Sequence, residues 1–184
     1  NLLPPHNSKM KKLFIFIFWI TLSFFFSKPA FAASVSTPSV PAEIQINQSF
    51  TINSEIRGGQ VSETYFVKCR IGPSSTSTGL TEGQTYNPTT NTWPFDNGAW
   101  TDMPTVEVTS GTSVSFSLQC RIKSGVSLGQ KYIFTRACLK QPNGSCGTGT
   151  SFQSTNWANF TALAESTPTP TPTSVPTSTL APTS

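Results

Sequence analysis

Between residues 43 and 161 the chain carries no apolar repeat near 3.6 residues, whereas several stretches alternate strictly between apolar and polar side chains. The cleanest sets Val114, Phe116, Leu118, Cys120 and Ile122 on one side and Ser113, Ser115, Ser117, Gln119 and Arg121 on the other. Successive side chains of a strand point to opposite faces, so one face of this segment belongs to a core and the other to water. Phe50, Ile52 and Ile56 define a second strand, broken by Ser54, and Tyr65, Val67, Cys69 and Ile71 a third. Further strands are expected near 43–46, 105–109, 131–140 and 151–161, the last with Trp157 as a core residue. Gly58-Gly59, Ser110-Gly111 and Pro142-Asn143-Gly144 supply turn residues between them. About seven short strands with Ser/Thr-rich outer faces predict an all-β domain, a two-layer antiparallel β-sandwich; a closed barrel is the competing architecture. Segment 131–140 has ambiguous parity, because Tyr132, Phe134 and Cys138 share a face with Arg136.

The two ends do not share this alternation. Met10 is followed by Lys11 and Lys12, then by an apolar run over 13–26 and the small-residue triplet Ala30-Phe31-Ala32. A basic start, a short apolar stretch and an A-x-A site predict a secretory signal peptide over 10–32, cleaved between Ala32 and Ala33. Lys28-Pro29 interrupts the run before the roughly 20 residues that a membrane span needs. Residues 1–9 read as translated upstream sequence and 33–42 as a short linker leading to a domain over 43–161. The last part, 162–184, is dominated by Ser, Thr and Pro, and its 166–184 stretch contains no charge. Such composition buries too little apolar surface to offset its ordering entropy and predicts an extended linker or stalk, with a further domain or anchor expected beyond it.

Charge and cysteine then narrow the partners. The formal net charge of +4 arises in the leader, where Lys9, Lys11, Lys12 and Lys28 lie, and the remainder carries eight basic and eight acidic residues. No basic surplus is left to release counterions from nucleic acid, and no direct membrane span is expected in the mature fragment. All four cysteines follow the leader, and an even number in an oxidising compartment predicts disulfides. Core-facing parity pairs Cys69 with Cys120, and the intervening turn pairs Cys138 with Cys146, among three possible connectivities. Their spacing contains no C-x-x-C, so no metal or cofactor is predicted.

The single His, His6, lies ahead of the first Met, which removes Ser-His and Cys-His nucleophile systems from the mature chain. Asp96, Asp102 and Glu107 are near enough in sequence to consider a carboxylate pair for glycoside hydrolysis, but turn-capping is the simpler role for loop aspartates. The domain is therefore read as not an enzyme. One stretch leans towards recognition: the long connection over 72–104, in which Tyr86, Trp93, Phe95 and Trp100 fall among polar, turn-forming residues. Flat rings with a polar edge stack on sugars or grip a protein partner, so Tyr86, Trp93 and Trp100 are the candidate ligand-binding residues. The alternative is that these tryptophans fold back as a lid on the domain.

The stretch Val126-Ser127-Leu128-Gly129-Gln130-Lys131-Tyr132-Ile133-Phe134 resembles the fibronectin type III passage L-x-P-G-T-x-Y-x-[V/F], with Leu128 in place of the Pro and Gln130 in place of the Thr. Over 43–161 the chain resembles the immunoglobulin-like or fibronectin type III-like modules strung on Thr/Pro linkers along bacterial secreted and cell-surface proteins. The resemblance implies a non-enzymatic module for adhesion, spacing or display, with a cell-surface polysaccharide or another surface protein as partner. A carbohydrate-binding module using the loop aromatics is the alternative function.

Overall fold

The computed structural model describes residues 33–76 and 80–166. The signal peptide over 10–32, residues 1–9 and the 167–184 part of the stalk lie outside the described residues. The described chain is all-β, with ten strands and one 3-10 turn at Trp100–Asp102. In chain order the strands are β1 (Ser34–Val35), β2 (Glu43–Gln45), β3 (Ser49–Arg57), β4 (Thr64–Gly72), β5 (Gly83–Thr85), β6 (Thr105–Glu107), β7 (Ser113–Ile122), β8 (Gly129–Lys140), β9 (Cys146–Gln153) and β10 (Ala158–Leu163). They form a four-stranded sheet in the order β1-β3-β7-β5 and a six-stranded sheet in the order β2-β10-β8-β4-β6, with β9 also on β8.

The alternation read in β7 sets the first sheet. β7 runs antiparallel to β3 from Ser49↔Arg121 to Arg57↔Ser113, so Ile52 meets Leu118 and Phe50 meets Cys120 on the inner face. In the second sheet β4 lies antiparallel to β8, which places Tyr65, Val67, Cys69 and Ile71 opposite Leu139, Ala137, Thr135 and Ile133. Inward residues of both sheets, among them Ile52, Ile56, Val67, Ile71, Ile122, Ile133 and Phe160, join one apolar cluster. Each fully buried isoleucine contributes about 1.5–3 kcal/mol. Two disulfides, Cys69 to Cys120 between the sheets and Cys138 to Cys146 across the β8–β9 turn, close loops of 51 and 8 residues. By chain entropy they are worth about 4 and about 2.6 kcal/mol.

Several expectations need correction. Ser54 does not break the second strand: β3 runs through it, and its inward hydroxyl donates to the Ser36 carbonyl at 2.9 Å. That bond is available because 33–42 is part of the fold and not a linker: Ser34 and Val35 pair with Arg57 and Ile56, and Val35 is buried. The stalk likewise begins later than residue 162, since β10 continues to Leu163 and Ala162 is buried beside Ile44 of β2. The β2–β10 pairing is parallel, an exception to the antiparallel expectation. The strand expected over 151–161 is two strands on different halves of β8, divided where Ser154 takes the Thr135 carbonyl and returns its Oγ to the Thr135 amide. The intervening turn carries Trp157 outward, 42% exposed, so it is not a core residue.

Parity in β8 is settled by its neighbours. Tyr132, Phe134, Arg136 and Cys138 face outward, and Lys131 faces inward opposite Phe160. Lys131 is 1% exposed and its Nζ lies 2.8 Å from the Glu82 carboxylate and 3.0 Å from Ser127 Oγ. A buried ammonium is tolerated only when paired, and removing one partner strands the other charge. Lys131→Ala is expected to lower stability by about 3–5 kcal/mol in urea unfolding. Lys131→Met combined with Glu82→Gln should recover most of that loss. Non-reducing peptide mapping is expected to join Cys69 to Cys120 and Cys138 to Cys146, and recovery of a Cys69 to Cys138 peptide would overturn this pairing.

Candidate functional site

The connection after β4 is organised by the edge of that strand. β6 covers β4 only from Thr64 to Phe66, and the amides of Val67, Cys69 and Ile71 beyond it need other acceptors. They find the Pro104 carbonyl at 2.9 Å, Thr85 Oγ1 at 3.1 Å and Asp96 Oδ2 at 3.3 Å, all from the long connection. β5 then lies close to β4 while pairing with β7. Glycine at position 83 suits this approach, since a Cβ there would stand 3.1–3.2 Å from the Ile71 side chain, tighter than ordinary packing. A narrow turn follows, in which Asn87 and Thr92 exchange backbone hydrogen bonds and Asn91 takes φ 55°.

Tyr86 and Trp93 are brought together; Trp100 stands apart from them on another surface. Gln84 pairs with Arg121, and the Tyr86 amide bonds the Gln119 carbonyl, so these residues line the outer face of the four-stranded sheet. Arg121 Nε donates to Gln84 Oε1 at 2.7 Å, and Gln84 Nε2 donates to the Trp93 carbonyl at 2.9 Å. The Trp93 ring lies 4.4 Å from the Arg121 guanidinium carbon and 5.2 Å from the Tyr86 ring, tilted by 44°. The Tyr86 hydroxyl donates to Asn91 Oδ1. Both rings are half-buried, which is neither the fully open platform nor the buried lid expected from sequence. Two inclined rings, a buried amide and a guanidinium already hold one another in place, the condition for recognising a ligand without a large ordering penalty. Beside it a cavity of about 310 Å³ opens between the two sheets, lined by Tyr86, Pro88, Pro104, Val106, Phe116 and Leu118.

Trp100 sits on the 3-10 turn over the outer face of the six-stranded sheet, half-buried, with Lys68 Nζ 4.2 Å and Arg136 Cζ 5.5 Å from its ring. Lys68 is 4% exposed and donates to the Gly98 carbonyl at 3.3 Å. Burial, then the positive charges of Arg136 and Arg70, lower its ammonium to about 8. Phe95 is exposed, with Lys123 at 6.0 Å.

The three carboxylates weighed for catalysis do not converge. Asp96 is buried beside Ile71, whereas Glu107 pairs with Thr64 at the other end of β4, seven residues or about 23 Å away. Asp102 is exposed on the 3-10 turn. Among the described residues no group of three His, Cys, Asp or Glu side chains is placed to hold a metal ion.

No protein-family model and no curated protein matches the sequence. Solved structures with some likeness include AvmM, described as catalysing macrocyclization in alchivemycin A biosynthesis, at 11% identity and TM-score 0.40, covering 78% of this chain and 94% of that one. A superoxide reductase (neelaredoxin) from Ignicoccus hospitalis overlaps at 13% identity and TM-score 0.26, covering 72% of this chain and 82% of that one. Overlaps this low carry no argument about what the chain does.

Asp96 supplies a pH test of the loop anchor. Its Oδ2 accepts from the amides of Ile71 and Gly83, yet burial dominates and raises its carboxyl from 3.8 to about 6. A folded-state value above the unfolded one means that this group favours folding most below about 3.8 and loses that contribution as pH rises through about 6. Urea unfolding from pH 4 to 7 is expected to show this decline in the wild type, and Asp96→Asn, which keeps an acceptor oxygen, should remove it.

Proposed function

We propose that the domain is a non-enzymatic β-sandwich module of a secreted or cell-surface protein, serving adhesion or display, and that it adheres to polysaccharide through the outer face of its four-stranded sheet. The two disulfides point to an oxidising environment and support an extracellular setting. The observation that carries the binding reading is the pre-ordered cluster of Tyr86, Trp93 and Arg121, held in place by the buried Gln84 amide. The sheet beside it extends this cluster with uncharged hydrogen-bonding groups, Thr51 and Asn53 opposite Gln119 and Ser117. Sugar rings offer the matching chemistry, apolar C–H faces for the aromatic rings and hydroxyls for amides and serine side chains.

The immunoglobulin-like or fibronectin-like affiliation belongs to this proposal, and it implies spacing along a stalk as the companion role of adhesion. Affinity electrophoresis of the purified chain through gels containing neutral soluble polysaccharides tests the proposal. Retardation by at least one glucan, mannan or xylan is expected, and Trp93→Ala should weaken it by about 1–3 kcal/mol without changing the unfolding midpoint greatly. Absence of retardation across that panel would sink the binding role.

A further inference from the structure

The outer face of the six-stranded sheet carries a second collection of side chains unlike the first. Reading outward positions along β8 and β4, Tyr132 stands opposite Gly72, Phe134 opposite Arg70, and Arg136 opposite Lys68. Trp157 packs on this row, its ring 6.1 Å from Tyr132 and 6.0 Å from Phe134, and remains 42% exposed. At the other end Trp100 covers Lys68 and Arg136. From Tyr132 to Arg136 the strip extends four residues, or about 13 Å.

Three cations on adjoining positions of one sheet face repel one another, and cross-strand like charges destabilise a sheet. Asp96, the carboxylate acting on Lys68 and Arg70, accepts two backbone amides through Oδ2 and keeps a buried Oδ1 without a hydrogen-bond partner, yet it forms no ion pair with either cation. Arg70 gives Nη2 to the Leu80 carbonyl and Arg136 gives Nη2 to Ser151 Oγ, but the Nε of each is shielded from solvent without an acceptor. Buried guanidinium N–H groups without acceptors are expensive, and a planar anion is their natural complement. We infer that this strip is a binding surface for an acidic polysaccharide, with Arg70 and Arg136 seating its carboxylate or sulfate groups and Trp157 with Tyr132 stacking on its sugar rings. Trp100, held on a single 3-10 turn, shifts to admit the anionic group. The surface shares no residue with the Tyr86–Trp93 face, so either reading can fail without the other.

Affinity electrophoresis of the purified chain against polygalacturonate, dextran sulfate and neutral dextran tests this, with an oligonucleotide as a competing anion. Retardation by polygalacturonate, dextran sulfate or both is expected, the choice telling carboxylate from sulfate, with none by neutral dextran once Trp93→Ala has removed the other face. It should vanish in about 1 M salt, where the Debye length is about 3 Å. Trp157→Ala, at an exposed ring, should weaken binding roughly tenfold, as should Arg70→Gln with Arg136→Gln, while Trp93→Ala leaves it unchanged. Bound acidic chain should also alter tryptophan emission in the wild type, and less so in Trp157→Ala. The inference is overturned if neither acidic chain retards the protein, if Trp157→Ala binds like wild type, if Trp93→Ala abolishes the binding, or if the oligonucleotide binds more tightly through the same residues.

Discussion

The half-covered edge of β4 is the constraint on which the rest of the structure depends. A central strand flanked by β8 along its length and by β6 for only three residues leaves backbone amides that cannot be buried unpaired. A regular strand is absent there, so Pro104, Thr85 and Asp96 serve as its substitute. Because those acceptors come from three separated points of one connection, satisfying them dictates the path of the connection. Trp93 is placed by the segment between Thr85 and Asp96, and Trp100 by the segment between Asp96 and Pro104. The same edge explains why the inter-sheet disulfide starts at Cys69: its amide bonds Thr85, whose neighbour across the sheet is Cys120. One unfilled hydrogen-bonding edge thus positions the cross-link, the buried carboxylate and both loop tryptophans.

Much of the framework was legible because period-two alternation is a local property. The β7 pattern assigned Cys120 to the core from its own neighbours, and the β4 pattern did the same for Cys69, so the pairing required no knowledge of the remaining fold. Alternation fails where a strand is short or buried on both sides. β1 has two residues and only one inward apolar side chain, Val35, too little to form a pattern. β8 is buried on both faces because Trp157 and Trp100 lie over its outer side, which made its parity ambiguous in sequence. The division between β9 and β10 rests on a long-range exchange between Ser154 and Thr135, and nothing near residue 154 announces it.

The candidate surfaces were legible in composition and illegible in geometry. Tyr86, Trp93 and Trp100 stood out as aromatic residues in a polar stretch, but sequence proximity suggested one cluster where the fold makes two, because the Asp96 anchor lies between Trp93 and Trp100. Trp157 was assigned to the interior by its place in an apparently continuous strand. Counting charge misled in a similar way. Eight basic and eight acidic residues follow the leader, yet Lys68, Arg70 and Arg136 gather on one face while the facing positions of β3 and β7 carry mainly Ser, Thr, Asn and Gln. Neutrality of the whole says nothing about segregation between faces.

The two buried lysines show how differently the fold treats a charge it pairs directly and one it leaves without an ion pair. Lys131 enters the core with a carboxylate at 2.8 Å and a hydroxyl at 3.0 Å, so its desolvation is offset within its own contact shell. Lys68 is almost as deeply covered, but its near groups are a carbonyl at 3.3 Å, an indole at 4.2 Å and two guanidinium groups that repel it, with the Asp96 carboxylate acting on it without forming an ion pair. A carbonyl and a cation–π contact compensate an ammonium only in part. The fold places a carboxylate in contact with Lys131, whereas Lys68 and the neighbouring Arg70 guanidinium have Asp96 acting on them without an ion pair. That cluster lies beneath the 3-10 turn of Trp100 and beside the exposed ring of Trp157.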